Sequence, residues 1–114
     1  MSRLRIAIST KGEKGLEDEV SEVFGRTNTV TIVDMVNGEV KNVQVLKNPA
    51  ASFKFGAGPI LVKTLIDMDV NVVVSGELGP SASELIEDHK ISKVIVKPGT
   101  PVKEAIKTIE LQLS

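Results

Sequence analysis

Apolar and polar positions alternate from the start of the chain. Leu4, Ile6 and Ile8 interleave with Arg5 and Ala7, the two-residue period of a β-strand over residues 4–8. Ser9-Thr10-Lys11-Gly12 breaks that period. The acidic stretch 16–24 carries Val20, Val23 and Phe24 at helical spacing and predicts a short helix stopped by Gly25. Residues 28–36, rich in Thr and Val, predict a second strand. Asn37-Gly38 then supplies two residues that tolerate positive φ, the requirement of a type I′ hairpin turn, and residues 39–46 return as a third strand ended by Asn48-Pro49.

The second half changes period. Residues 50–58 read as a loop, and Pro59 is suited to the first position of a helix, where its missing N–H costs nothing. Leu61, Leu65 and Met68 share one helical face, with Val62 and Ile66 beside them. Residues 70–75 are a short apolar run suited to a buried central strand, 81–88 a short helix bearing Leu85 and Ile86, and 91–96 a fifth strand. In the last helix Thr100 is placed to cap and Pro101 to start. Val102, Ala105, Ile106, Ile109 and Leu113 form its buried stripe. This order predicts one three-layer α/β domain over residues 1–114, built on a five-stranded mixed sheet with only the second strand antiparallel to the others.

Composition narrows the function classes. The chain has 14 basic and 15 acidic residues, so it lacks the basic excess of a protein built to grip nucleic acid. It has no cysteine, which excludes disulfides and thiolate metal sites. No apolar run approaches the ~20 residues of a membrane-spanning helix, and no apolar run follows the basic N-terminus as in an export signal. The expected setting is the cytoplasm, without a nucleic-acid or membrane partner.

Catalytic and metal constellations are thin. His89, the single histidine, sits between Asp88 and Lys90 at a helix end and reads as a solvated or C-capping residue. Glu17, Asp18, Glu19 and Glu22 read as a solvated helix face. No nucleophile elbow, dinucleotide fingerprint or phosphate-loop run occurs, so no catalytic residue and no metal ligand is assigned. The chemistry that remains is that of loops. Strands one, three, four and five are expected to run parallel, and their carboxyl ends gather Ser9-Thr10, Phe55-Gly56-Ala57-Gly58-Pro59, Ser75-Gly76-Glu77-Leu78-Gly79-Pro80 and Lys97-Pro98-Gly99-Thr100 at one sheet edge. Helix N-termini there favour an anion through free N–H groups and the helix dipole. The candidate ligand-binding residues are Ser9, Thr10, Arg26, Gly56, Ala57, Gly58, Ser75, Gly76 and Gly79, with Lys11 and Lys54 as further countercharges. In the alternative arrangement Phe53, Phe55 and Leu78 fold over this edge and close it.

Five segments, in order along nearly the whole chain, resemble the dinitrogenase iron–molybdenum cofactor biosynthesis family of the NifX and NifB C-terminal type. They are Ile6-Ala7-Ile8-Ser9-Thr10; the segment Leu16-Glu17-Asp18-Glu19-Val20-Ser21-Glu22-Val23-Phe24-Gly25-Arg26, which resembles Val-Ser-x-x-Phe-Gly-Arg; the Gly38 hairpin ending in Asn48-Pro49; Phe55-Gly56-Ala57-Gly58-Pro59, similar to His-Gly-Ala-Gly-Pro; and Val72-Val73-Val74-Ser75-Gly76-Glu77-Leu78-Gly79-Pro80. The resemblance implies a ribonuclease-H-like sheet and a role in carrying, inserting or regulating iron–sulfur or iron–molybdenum clusters. Where that family usually has His before Gly-Ala-Gly this chain has Phe55, and where it often has His before Phe-Gly-Arg it has Val23. The expected function is a non-catalytic carrier or binding protein for a metallocluster or a small anion, with weak iron binding by the isolated chain. The alternative is a cofactor-free regulatory or protein-interaction module.

Overall fold

The computed structural model describes residues 3–113. Five strands form one sheet: β1 (Arg3–Thr10), β2 (Thr29–Val36), β3 (Glu39–Lys47), β4 (Val72–Ser75) and β5 (Ser92–Ile95). Their spatial order is β3-β2-β1-β4-β5. β2 runs antiparallel to both neighbours and β4 and β5 run parallel to β1, so β2 alone is reversed. Three helices cover the sheet: α1 (Ala57–Asp67), α2 (Pro80–Asp88) and α3 (Val102–Leu113).

The alternation of strand side chains divides the core into two layers. Ile6, Ile8, Val72 and Val74 pack with Val102, Ala105, Ile106 and Ile109 of α3. Ala7, Val30, Ile32 and Val73 pack on the other face with Leu61, Val62 and Leu65 of α1 and with Ala82 and Ile86 of α2. The three-layer expectation holds. Leu113, the last position of the predicted α3 stripe, lies outside the residues whose side-chain surroundings are described.

The hairpin forms as its turn residues require, with φ of 52° at Asn37 and 82° at Gly38. Lys41 is an extra residue opposite the Asp34–Met35 step, a bulge on the outer strand β3. β1 outruns its predicted end because Ser9 and Thr10 still pair with Val30 and Thr29. α1 starts at Ala57, so Pro59 occupies its third position, still within the turn that needs no N–H. α3 starts at Val102; the Thr100 hydroxyl donates back to the Lys97 carbonyl at 2.5 Å instead of capping the helix.

The short helix expected over residues 16–24 does not form. Single 3₁₀ turns at Gly15–Glu17 and Phe24–Arg26 flank an extended strap. Its backbone groups are taken by other segments: the N–H of Lys11 donates to Glu19, that of Ser21 to Ser9, that of Gly76 to Ser21 and that of Val102 to Asp18. The helical spacing was coincidental. Val20 enters the α3-side core, Phe24 the α1-side core, and Val23 stays on the surface. The acidic run is solvated at Glu17, Glu19 and Glu22, though not on the expected helix, and Asp18 departs from it. Asp18 is buried and its carboxylate accepts the backbone N–H groups of Gly12, Lys14 and Glu19 at 2.8–3.1 Å.

Candidate functional site

The strap carries the turn Phe24–Arg26 to the carboxyl end of the sheet, where it meets the beginnings of α1 and α2. Two glycines permit the approach. A Cβ on Gly25 would lie 2.7 Å from the Gly58 nitrogen, and one on Gly58 would lie 3.1 Å from Ala82 Cβ. Asn48 fixes the turn from behind, donating to the carbonyls of Gly25 and Thr27 at 3.0 Å each, while its Oδ1 accepts the Ala50 N–H at 2.9 Å.

Between these parts lies an open cleft of about 260 Å³, lined by Val23, Gly25, Arg26, residues 56–59 and residues 79–82. Both helices reach it uncapped. The N-cap residues are Gly56 and Gly79, and neither helix has a side-chain cap. Pro59 and Pro80 have no N–H to offer, and the first backbone donors engaged within each helix are those of Ile60 and Ser83. The N–H groups of Ala57, Gly58, Ser81 and Ala82 are therefore left without an acceptor among the described residues. Two dipole-positive helix ends meeting in one cleft favour negative charge there.

Of the residues singled out in the sequence, the fold brings Arg26, Gly56, Ala57, Gly58 and Gly79 to this cleft. Four others do not line it. Gly76 sits where a Cβ would meet the carbonyl oxygens of Ser21 and Glu22 and Pro98 Cγ at 2.8 Å each, and its N–H is engaged with Ser21. Ser75 donates to the Glu77 carbonyl at 3.2 Å. The Thr10 hydroxyl lies 2.6 Å from that of Thr29 and 3.0 Å from that of Thr31, in a buried hydroxyl cluster. Ser9 is 1% exposed and its hydroxyl has no hydrogen-bond partner. Strand alternation puts it on the α1/α2 side with Ala7, near the carboxyl end of β1. Sequence reasoning missed Ser81 and Ala82, because the loop before α2 was read only as far as Pro80, and Asn48, read only as a strand stop.

Arg26 is not a free countercharge. Its Nη2 donates to the Lys54 carbonyl at 2.8 Å and its Nη1 to that of Phe53, bracing the loop before α1. Phe55 is 87% exposed, so the aromatic side chains do not close the edge. His89 is the C-cap of α2, its Nδ1 3.0 Å from the Leu85 carbonyl, far in sequence and role from the cleft. At the other end of the sheet, a second cavity of about 330 Å³ is lined by Arg3, Arg5, Asp69 and Asn71. There Arg5 is already engaged, through Nε with Asp34 at 2.7 Å and through Nη1 with the Met68 carbonyl at 2.6 Å.

The sequence matches the family described as dinitrogenase iron–molybdenum cofactor over residues 2–112. The chain belongs to that family. An uncharacterised protein of Methanocaldococcus jannaschii is 30% identical over 90 residues, covering 79% of this chain and 75% of the relative. Among solved structures, the apo orange protein of Desulfovibrio gigas superposes with a TM-score of 0.83 at 26% identity, covering 95% of this chain and 87% of the other. A Thermotoga protein described as NifB superposes at 0.73 with 25% identity, covering 96% and 89%. In this member of the dinitrogenase cofactor family, Phe55 and Val23 stand where the resemblance leads one to expect imidazoles. Among its described residues, no three His, Cys, Asp or Glu side chains are grouped so as to hold a metal ion.

Proposed function

We propose that this family member is a non-catalytic, cytoplasmic carrier or binding protein whose cleft between the starts of α1 and α2 holds an anionic metallocluster or a small anion. The observation that carries this reading is the convergence of two glycine-capped helix N-termini, with the N–H groups of Ala57, Gly58, Ser81 and Ala82 unengaged, on one cleft. The strand order, with only β2 reversed, supports the ribonuclease-H-like motif that the resemblance implies, and we take the chain as a single domain over residues 1–114. No described helix is long and apolar enough to cross a membrane.

The donor set limits the cargo. The cleft lining contains no thiolate, imidazole or carboxylate. A cluster held here keeps its own inorganic ligands and is bound as an anion, through N–H groups and dipoles. A cluster that needs side-chain sulfur or nitrogen from the protein does not fit. Anaerobic incubation with iron and sulfide, followed by absorption spectroscopy and metal analysis, tests this. Little retained iron is expected, whereas tight stoichiometric iron contradicts the donor argument. The second reading, a cofactor-free interaction module, is favoured by the exposed rings of Phe53 and Phe55.

A further inference from the structure

The amino end of the sheet, where β1 and β4 begin and α1 ends, gathers a set of charges apart from the cleft. Arg3 and Arg5 are two residues apart on β1, so strand alternation turns both toward one face. The Arg5 Nη1 donates to the carbonyl of Met68, the C-cap of α1, at 2.6 Å. Asp69 follows at once, and Asn71 leads into β4. Together Arg3, Arg5, Asp69 and Asn71 line the cavity of about 330 Å³, within the ~300–1,000 Å³ of small-molecule sites. Arg3, Asp69 and Asn71 are exposed, so the cavity opens to solvent.

Local bonds hold these residues and leave recognition groups unused. The Asn71 N–H donates to the Arg5 carbonyl at 2.8 Å, and its Oδ1 accepts the Arg5 N–H at 2.7 Å. That orients the side-chain amide and leaves its Nδ2 without a partner among the described residues. Arg5 uses Nε on Asp34 and Nη1 on Met68, and Nη2 remains. Asp69 has φ 59°, in a turn closed by its own N–H on the Ile66 carbonyl at 3.0 Å and that of Val70 on Leu65 at 3.2 Å. Its carboxylate and the Arg3 guanidinium make no hydrogen bond or ion pair among the described residues. The Asp34 hydrogen bond raises the Arg5 pKa from its ordinary value, against desolvation, and the charges of Asp34 and Asp69 add to it.

Asp34 neutralises Arg5, which leaves one cation, Arg3, and one anion, Asp69, on the cavity. That balance suits a ligand that carries both charges. A guanidinium pairs with a carboxylate through parallel N–H donors, and a carboxylate accepts an ammonium. We infer that this cavity binds the zwitterionic head of a free α-amino acid, its carboxylate at Arg3, Arg5 and Asn71 and its ammonium at Asp69. Nuclear magnetic resonance of the full chain, read at the backbone amides of Arg3, Arg5 and Asn71 and the Asn71 side-chain amide, tests it in separate titrations with glycine and acetate. Glycine is expected to shift these signals with one dissociation constant, about fivefold tighter than acetate, the increment of one exposed ion pair. In Asp69→Asn, where asparagine tolerates the left-handed backbone as aspartate does, the two constants are expected to converge. In Arg3→Gln both are expected to weaken. An otherwise unchanged amide spectrum shows that each variant is folded. Acetate binding as tightly as glycine, an unchanged preference in D69N, an unchanged affinity in R3Q, or no saturable response to glycine overturns the inference.

Discussion

Replacing Gly79 by Asp separates stability from binding in opposite directions. Gly79 is the N-cap of α2, its φ of −66° and ψ of 161° suit any residue, and a Cβ there meets nothing within 4 Å. An aspartate at this position accepts the N–H groups of Ser81 or Ala82 and places negative charge at the positive end of the helix. The improved cap, the dipole term and the reduced entropy of the unfolded chain together contribute about 1 kcal/mol. For 114 residues that corresponds to a rise of roughly 4 °C in Tm. The same carboxylate, about 5 Å from an anion in the cleft, opposes it by on the order of 2 kcal/mol, roughly a thirtyfold loss of affinity. Unfolding is followed by far-ultraviolet circular dichroism, since the chain has no Trp or Tyr, and phosphate affinity by calorimetry. Gly79→Ala leaves the donors free and is expected to keep its affinity. A stabilised G79D protein that binds phosphate as well as the native chain would refute the assignment of these donors to the ligand.

Gly76→Ala, whose Cβ meets backbone oxygens at 2.8 Å, is expected to lower stability by about 2 kcal/mol in urea unfolding; a shift below a few tenths contradicts the close packing of the strap. Asp34→Asn is expected to cost about 1–2 kcal/mol at neutral pH, because it leaves the partly buried Arg5 guanidinium without its carboxylate. The Arg5 hydrogen bond holds the Asp34 carboxyl below its ordinary value, against the opposing effect of burial. A lowered folded-state pKa means that this stability is present above the unfolded value near pH 4 and is lost as pH falls through the folded one. Unfolding across that acid range should therefore be flatter in D34N than in the native chain, and identical curves contradict the pairing. Ser9→Ala removes a buried hydroxyl without a partner and is expected to stabilise the ligand-free chain by up to about 1 kcal/mol, where a clear loss indicates a bond that the structure does not show.

What was legible in the sequence was what local chemistry decides. Strand alternation, the Asn37-Gly38 turn and the proline-led helix starts gave the sheet, its single reversed strand and the edge where α1 and α2 begin. The strap defeated the reading because Val20, Val23 and Phe24 have helical spacing, while the backbone partners of Val20, Ser21 and Phe24 lie on Thr100, Ser9, Gly76 and Glu77, which no local pattern reveals. Gly76 and Gly79 look alike in sequence, yet one is packed against two backbone oxygens and the Pro98 ring and the other faces open space. Arg26 and Ser9 were found as residues but not in their roles: one braces a loop, the other lies buried and unbonded.

Backbone-resolved nuclear magnetic resonance during titration with inorganic phosphate locates the ligand site on the molecule. If the paired helix starts form it, the amides of Ala57, Gly58, Ser81 and Ala82 move together, saturate with one dissociation constant, and lose that response in Gly79→Asp. Saturating shifts centred on Arg3, Arg5 and Asn71 at the opposite end of the sheet, with those four amides unmoved, would contradict it.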